Sequence, residues 1–379
     1  MKYYSFDQIE TPALIVSEEK LKRNIERMIK VRNNDVEVRP HFKTHKSVSI
    51  AKMQLAMGAI GITVATVSEA ELLLTSGLKD ILVAFPLSDR KKINKLLQWN
   101  DKARIIFTID NCEQADIISS QADGLNVKSE VWIKVNCGLN RCGVEPEEET
   151  LALAKYIIDS TSLNLTGLYT HAGHSYGAST QEAITKIAIG EAESIVKSAE
   201  LCEKEGIYIK HRSVGSTPTF EVAAKIKGIT EVRPGNAVFF DGIQVELGVA
   251  NIEEVALTVL ATIASIKSNR LIIDAGSKAL TTEKGAHGNE GITGFGRILN
   301  DSGQELLISR LSEEHGIVEL AGDNANHHNH HNQKRRLNDK IHIIPNHACP
   351  VVNLYDYYYL EKADGKYEKF PVDGRGKSQ

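Results

Sequence analysis

The sequence predicts an α/β chain, a (β/α)8 TIM barrel followed by a C-terminal β domain. Three observations predict it. Between residues 37 and 241, short β-branched runs alternate with amphipathic, charge-faced segments, the βα signature. After residue 245, helix-length segments thin out and strand-like runs follow one another. No Gly-rich dinucleotide loop follows the first strand, which argues against the alternative of a doubly wound sheet.

The eight apolar runs are "EVRPHF" (37–42), "GITVAT" (61–66), "DILVAF" (80–85), "ARIIFTI" (103–109), "EVWIKVN" (130–136), "LTGLYTHA" (165–172), "IKHRSVG" (209–215) and "ITEVRPG" (229–235). Eight strands alternating with helices is the barrel count. The intervening segments read as helices: in "SEAELLLTSG", Ser68 and Glu71 fit a capping box and Gly77 a C-terminal stop. Before the barrel, the strand-like "PALIV" precedes the amphipathic "SEEKLKRNIERMIKVR". Beyond residue 245, "VALTVLATIASI", "RLIIDAG", "LLISRLS", "GIVEL", "KIHIIP" and "VVNLYDYYYL" read as strands. The expected domains are therefore 11–245 and 246–379, with residues 1–10 packing against the second.

Composition narrows the function classes. The 379 residues carry a net charge of -4 and 42% hydrophobic content, enough for a large core and too balanced to attract nucleic acid. No apolar run approaches the roughly 20 residues of a membrane helix. Five cysteines at irregular spacing, with no leading apolar segment, suggest a reduced, cytoplasmic protein.

The basic stretch "RPHFKTHK" (39–46) therefore needs a local explanation. Lys43 falls at the C-terminal end of the first barrel strand, the face where barrels build sites. His41, His45 and Lys46 around it, with partial burial, would lower its amine pKa and suit it to a Schiff base with an aldehyde. Spacing alone equally allows a solvated basic loop.

Ten ordered blocks decide more: "TPALIV", "RPHFKTHK", "GITVATVSEAELL", "VNCGLNRCGV", "GLYTHAGHSY", "SVGSTPT", "EVRPGNAVFFD", "DAGSKAL", "RLSEEHG" and "IPNHACPVVNLYD". They resemble the D-threonine aldolase and D-serine dehydratase family, which is similar to alanine racemase, the type III architecture of pyridoxal 5'-phosphate (PLP) enzymes. The resemblance runs from about residue 11 to the C-terminus and implies that Lys43 forms the Schiff base and transfers protons.

The remaining motifs gain roles from the same resemblance. In "SVGSTPT", amides of Gly215, Ser216 and Thr217 before a helix starting at Thr217-Pro218 suit a phosphate, although such a turn alone is more often just a helix cap. Gly235 and Asn236 would complete the phosphate cup. Tyr169 and His171 share one face of a strand. The likeness implies that His171 packs against the pyridine ring and that Tyr169 and Tyr176 hydrogen-bond the cofactor; a core tyrosine and a satisfied histidine remain the alternative. Arg141, beyond the fifth strand, matches a cofactor-proximal arginine, and its neighbours Cys137 and Cys142 read as packing residues. His347 and Cys349, two apart, would face the same way on one extended strand and could share an ion. The resemblance implies a divalent metal there that touches the substrate's 3-hydroxyl. A thiolate ligand favours zinc, with manganese possible. "HHNHH" (327–331) in a polar, Asn-rich tract reads as a loop, with adventitious metal binding as its alternative.

The implied function is a PLP- and metal-dependent lyase for D-3-hydroxy amino acids, first as a D-serine dehydratase and second as a D-threonine aldolase. An amino-acid racemase ranks below both. A non-catalytic PLP-binding protein ranks last, because such relatives typically lack a C-terminal β domain. A homodimer is expected, with a small-molecule D-amino acid as partner and neither nucleic acid nor membrane.

Overall fold

The computed structural model describes residues 3–285, 289, 291–299, 305–320 and 335–379. The chain divides into two compact units, one comprising the chain through Asn24 with Val238–Arg375, the other Ile25–Ala237 with Gly376–Gln379. The chain begins with β1 (Tyr3–Tyr4), β2 (Ala13–Ser17) and α1 (Glu18–Ile29).

The second of these units holds a parallel sheet. Its strands are β3 (Glu37–Val38), β4 (Ile62–Val64), β5 (Asp80–Pro86), β6 (Arg104–Ile109), β7 (Ser129–Lys134), β8 (Leu163–Tyr169), β9 (His211–Val214) and β10 (Glu231–Val232). Between them run α2 (Val48–Ala56), α3 (Val67–Thr75), α4 (Arg90–Leu97), α5 (Cys112–Leu125), α6 (Glu148–Ile158), α7 (Gln181–Lys204) and α8 (Phe220–Ala223). The strand order is β3-β10-β9-β8-β7-β6-β5-β4, every pair parallel. The sheet curls until its end strands meet: His41 bridges Thr63, and the Thr63 N–H donates to Pro40 O at 2.8 Å.

Each of the eight apolar runs overlaps a strand. β3 and β10 are only two residues long because Pro40 and Pro234, two positions after each, have no N–H to continue a ladder. The cap of α3 differs from the expectation. Thr66, not Ser68, is the N-cap and accepts from the Glu69 N–H at 3.2 Å; "TVSE" and "SEAE" both fit the cap spacing, and burial of Glu69 selects the first.

Leu82, Ile106, Trp132 and Tyr169 form a buried cluster in the curl. Near the N-terminal ends of the strands lies an ionic layer. Arg39, fully buried, pairs with Asp80 and with Glu231 at 3.0 Å, and Arg104 pairs with Asp80 at 3.2 Å and Glu130 at 2.6 Å. These groups neutralise one another, so the end left for ligands is the one where the strands finish.

The other unit is built on a ten-stranded sheet. Its later strands are β11 (Leu257–Lys267), β12 (Arg270–Ile273), β13 (Arg297–Leu299), β14 (Glu305–Leu311), β15 (Gly316–Glu319), β16 (Lys340–Ile344), β17 (Tyr357–Glu361) and β18 (Tyr367–Pro371). Its short helices are α9 (Gly242–Glu246), α10 (Ser277–Leu280) and α11 (Ala348–Val352). The order is β1-β18-β17-β2-β11-β12-β15-β14-β13-β16, with β11 also pairing β16; only β17 and β2 run parallel.

This corrects the expected boundaries. β2 pairs with β11 and β17 and so lies outside the parallel-sheet unit, as do residues 238–245. A buried "ALIV" run names no partner, so its sheet was not readable from sequence. Among the described residues no helix is long and apolar enough to cross a membrane.

Candidate active site

In the parallel-sheet unit, four loops at strand ends converge. After β3 the chain turns through Phe42–Thr44, where the Lys43 N–H donates to His41 Nδ1 at 3.3 Å. Lys43 is half-buried. Lys46, the other lysine of the stretch, is buried and committed: its Nζ donates to Glu69 at 3.0 Å.

Burial, then the charge of Lys43, holds the imidazoles of both His41 and His171 well below the ordinary histidine range. They are neutral at pH 7. His171 Nδ1 lies 2.7 Å from Gly215 O; a carbonyl can only accept, so Nδ1 carries the proton. His45 is also neutral, its pKa lowered by burial to about 3. Burial therefore removes two of the three neighbours expected to add positive charge, and Lys46 is neutralised by its own partner.

The loops after β9 and β10 complete the cluster. Gly215 has φ +148°, and a Cβ there would stand 2.8 Å from the Arg233 nitrogen. A Cβ on Gly235 would meet Thr44 Oγ1 at 3.1 Å and the His41 Cβ at 3.2 Å. Thr217 Oγ1 accepts from the Ala237 N–H at 3.1 Å, tying one loop to the other.

The phosphate expectation needs correction in detail. The helix does not begin at Thr217-Pro218: α8 starts at Phe220 and has four residues, too short for a helix dipole to matter. Two of the three amides are already used. The Gly215 N–H donates to Glu191 at 2.9 Å, and the Ser216 N–H to Thr219 Oγ1 at 3.3 Å. Among the described residues, the N–H groups of buried Thr217 and half-buried Gly235 have no acceptor. Buried Asn236 lies between Gly235 and Ala237.

Other expected residues divide. Tyr176 is buried in the turn Gly173–Gly177, beside Ser175, whose hydroxyl lies 3.0 Å from that of Ser216. Tyr169 belongs to the core cluster, and its hydroxyl lies 2.7 Å from that of Thr108. Arg141 is exposed in the loop after β7. Cys137 is a packing residue, with burial pushing its thiol up to about 12. Cys142 is more than that, since Lys134 Nζ donates to its sulfur at 3.0 Å.

Sequence reasoning missed Arg233 and Glu191. Arg233 is buried, stands 4.7 Å over the Tyr169 ring, and donates to Ser213 Oγ at 2.9 Å and to Thr170 O. It lay in the quoted block "EVRPGN" unremarked. Fully buried Glu191 accepts from Ala172 N–H, Gly215 N–H and Thr219 Oγ1, joining two of the loops; on a helix full of glutamates it carried no signal.

The other unit contains His347 and Cys349. They do not share a strand: β16 ends at Ile344, His347 caps α11, and Cys349 lies inside it. The tight turn nevertheless brings the two side chains into hydrogen-bond contact. Burial would lower the His347 pKa, but Cys349, Glu283 and Asp241 outweigh it and raise it well above the usual range. Glu283 lies 2.9 Å from Nδ1, an arrangement that fixes the orientation of the ring. Asp241 Oδ2 accepts from the Ala348 N–H at 2.8 Å and holds the turn. Among the described residues no group of three or more His, Cys, Asp or Glu could enclose an ion. The "HHNHH" tract lies outside the described residues.

Residues 16–242 match the family described as alanine racemase, N-terminal domain, and residues 256–360 match the serine dehydratase domain. The chain belongs to the D-threonine aldolase and D-serine dehydratase family. Its relatives include D-threo-3-hydroxyaspartate dehydratase of Delftia sp. (strain HT23), 33% identical with 94% of this chain and 95% of the relative covered. D-Serine dehydratase of Dictyostelium discoideum is 30% identical, with 95% of each covered. D-Threonine aldolase of Arthrobacter sp. is 28% identical, with 98% and 94% covered. A solved structure of a cysteine-to-alanine mutant of D-threo-3-hydroxyaspartate dehydratase in the metal-free form matches with a TM-score of 0.89 at 32% identity, covering 97% of this chain and 99% of that one. The fold is thus alanine racemase-like, a curled parallel sheet plus a C-terminal antiparallel domain, and the family's enzymes are PLP-dependent lyases.

The residues fit PLP. A half-buried lysine beside neutral imidazoles suits an aldehyde, and the unused N–H groups of Thr217 and Gly235 suit a phosphate. His347 and Cys349, in hydrogen-bond contact, offer an imidazole and a thiol, a donor pair of the kind that zinc takes.

Proposed function

We propose that the protein is a PLP- and zinc-dependent lyase that eliminates water from a D-3-hydroxy amino acid, converting D-serine to pyruvate and ammonia. The contact between His347 and Cys349 carries the choice of elimination. Hydroxide is a poor leaving group, and an imidazole with a thiolate is a borderline-soft donor set that favours zinc over the harder manganese or magnesium. The eight-stranded parallel sheet with meeting edges supports reading the curled sheet as a (β/α)8 barrel.

When bound, PLP withdraws electrons from the substrate's α-carbon, and the metal acts as a Lewis acid toward the 3-hydroxyl. Lys43 would supply the amine that holds the cofactor and would move the α-proton. His171, kept neutral by burial and held by Gly215 O, would line the cofactor ring without adding charge. The Thr217 and Gly235 N–H groups would donate to the phosphate, and Glu191 holds the Gly215–Thr219 turn in place. Glu283 orients His347.

Incubating the purified protein with D-serine, D-threonine and D-threo-3-hydroxyaspartate, with zinc or manganese, tests the reading through its products. Pyruvate with ammonia from D-serine supports it. Glycine with acetaldehyde from D-threonine as the main products replaces it with the aldolase. Oxaloacetate with ammonia from the aspartate derivative alone keeps elimination but changes the substrate.

A further inference from the structure

Lys134, the last residue of β7, is a buried lysine, 4% exposed, and the lyase reading assigns it no role. Among the described residues no carboxylate pairs with it. Its Nζ donates to Cys142 Sγ at 3.0 Å and stands 5.7 Å from the Tyr169 ring centroid. The loop from residue 135 to 144 holds this contact in place. Val135 bridges Val144, the Val144 N–H donates to Lys134 O at 3.0 Å, and the Asn136 N–H donates to Val144 O at 2.8 Å. The Gly143 N–H donates to Asp110 at 3.0 Å, anchoring the residue next to the cysteine. Burial lowers the Lys134 pKa, which favours the neutral, nucleophilic amine. Cys142 is half-buried and within reach of a small oxidant.

We propose that Lys134 and Cys142 form a peroxide-responsive modification site, closed by a covalent bond between Sγ and Nζ. The separation matches the roughly 3–3.5 Å of reacting atoms poised for attack. Hydrogen peroxide oxidises the thiol by two electrons: sulfur takes one oxygen, the O–O bond breaks, and one water leaves. The Lys134 amine attacks the sulfenic sulfur; the S–N bond forms, the S–O bond breaks, and the hydroxyl departs with an amine proton as a second water. A dithiol reductant reverses the step by attacking sulfur and releasing the amine. The inference is independent of the lyase reading, since neither PLP nor metal takes part.

The test is intact-mass analysis and peptide mapping of the holoenzyme after stoichiometric hydrogen peroxide. The wild type should lose two hydrogen atoms, yield one peptide joining Lys134 to Cys142, and return to its starting mass with dithiothreitol. Lys134→Arg keeps the cation and Cys142→Ser the volume; each should abolish the joined peptide while melting as a folded protein. Lys134→Arg should instead accumulate a dimedone-reactive Cys142. The proposal is overturned if Cys142 of the wild type only gains oxygen, if its mass does not change, or if the lost hydrogens map to a Cys137–Cys142 disulfide.

Discussion

Two lysines three positions apart, Lys43 and Lys46, meet different fates because only one is given a buried acid. Lys46→Ala would strand Glu69, 1% exposed, and should lower the unfolding free energy by about 3 kcal/mol while leaving the bound cofactor's colour intact. Lys43→Ala should remove the colour and the turnover with little loss of stability; chemical denaturation and absorbance distinguish the two. Glu191 gives a pH prediction. Burial outweighs its three hydrogen bonds and raises its carboxyl pKa above 4.5, so just above 4.5 the folded chain binds more protons than the unfolded one. Its penalty is absent below 4.5 and complete above the raised pKa. Glu191→Gln should therefore gain stability relative to wild type as pH rises through that window, measured by urea unfolding; a constant difference would contradict the assigned shift. The sequence offered Lys43, His171 and His347 because those residue types stand out at strand ends. It hid Glu191 because a buried helix glutamate looks like an exposed one until its neighbours are known.

The turn after β9 shows what an element must be to serve the site. Gly215 is held at a positive φ against backbone of the neighbouring strand's end, and its own N–H is pinned by Glu191. Gly215→Ala would push a Cβ against the Arg233 nitrogen, which cannot swing aside as a side chain can. We expect the dissociation constant for PLP to rise by a factor of about ten or more, in keeping with a backbone cost of roughly 1–3 kcal/mol. Equilibrium dialysis of the variant checks this, and unaltered affinity would remove the turn from the phosphate site. The eight parallel strands were legible because β-branched runs and helix stops recur in order. The start of α3 was not, since two cap spacings overlap, nor was the shortness of α8, whose preceding Thr219 is bound through its side chain to Glu191.

At the scale of the whole molecule, each unit carries one half of the proposed chemistry, the lysine in the parallel-sheet unit and the His–Cys pair in the other. The boundary between them was misplaced from sequence because β2 and residues 238–245 join the second sheet through pairings no local pattern encodes. The division makes the two dependencies separable. EDTA, or Cys349→Ala, should abolish turnover and leave the visible absorbance unchanged, with zinc restoring the wild type but not the variant. Cys349→Asp should move the preference from zinc toward manganese. The most direct measurement of the central claim is reduction of the yellow holoenzyme with borohydride, followed by peptide mapping of the phosphopyridoxyl group. The account predicts the label on Lys43; finding it on Lys46 or Lys278 would contradict it.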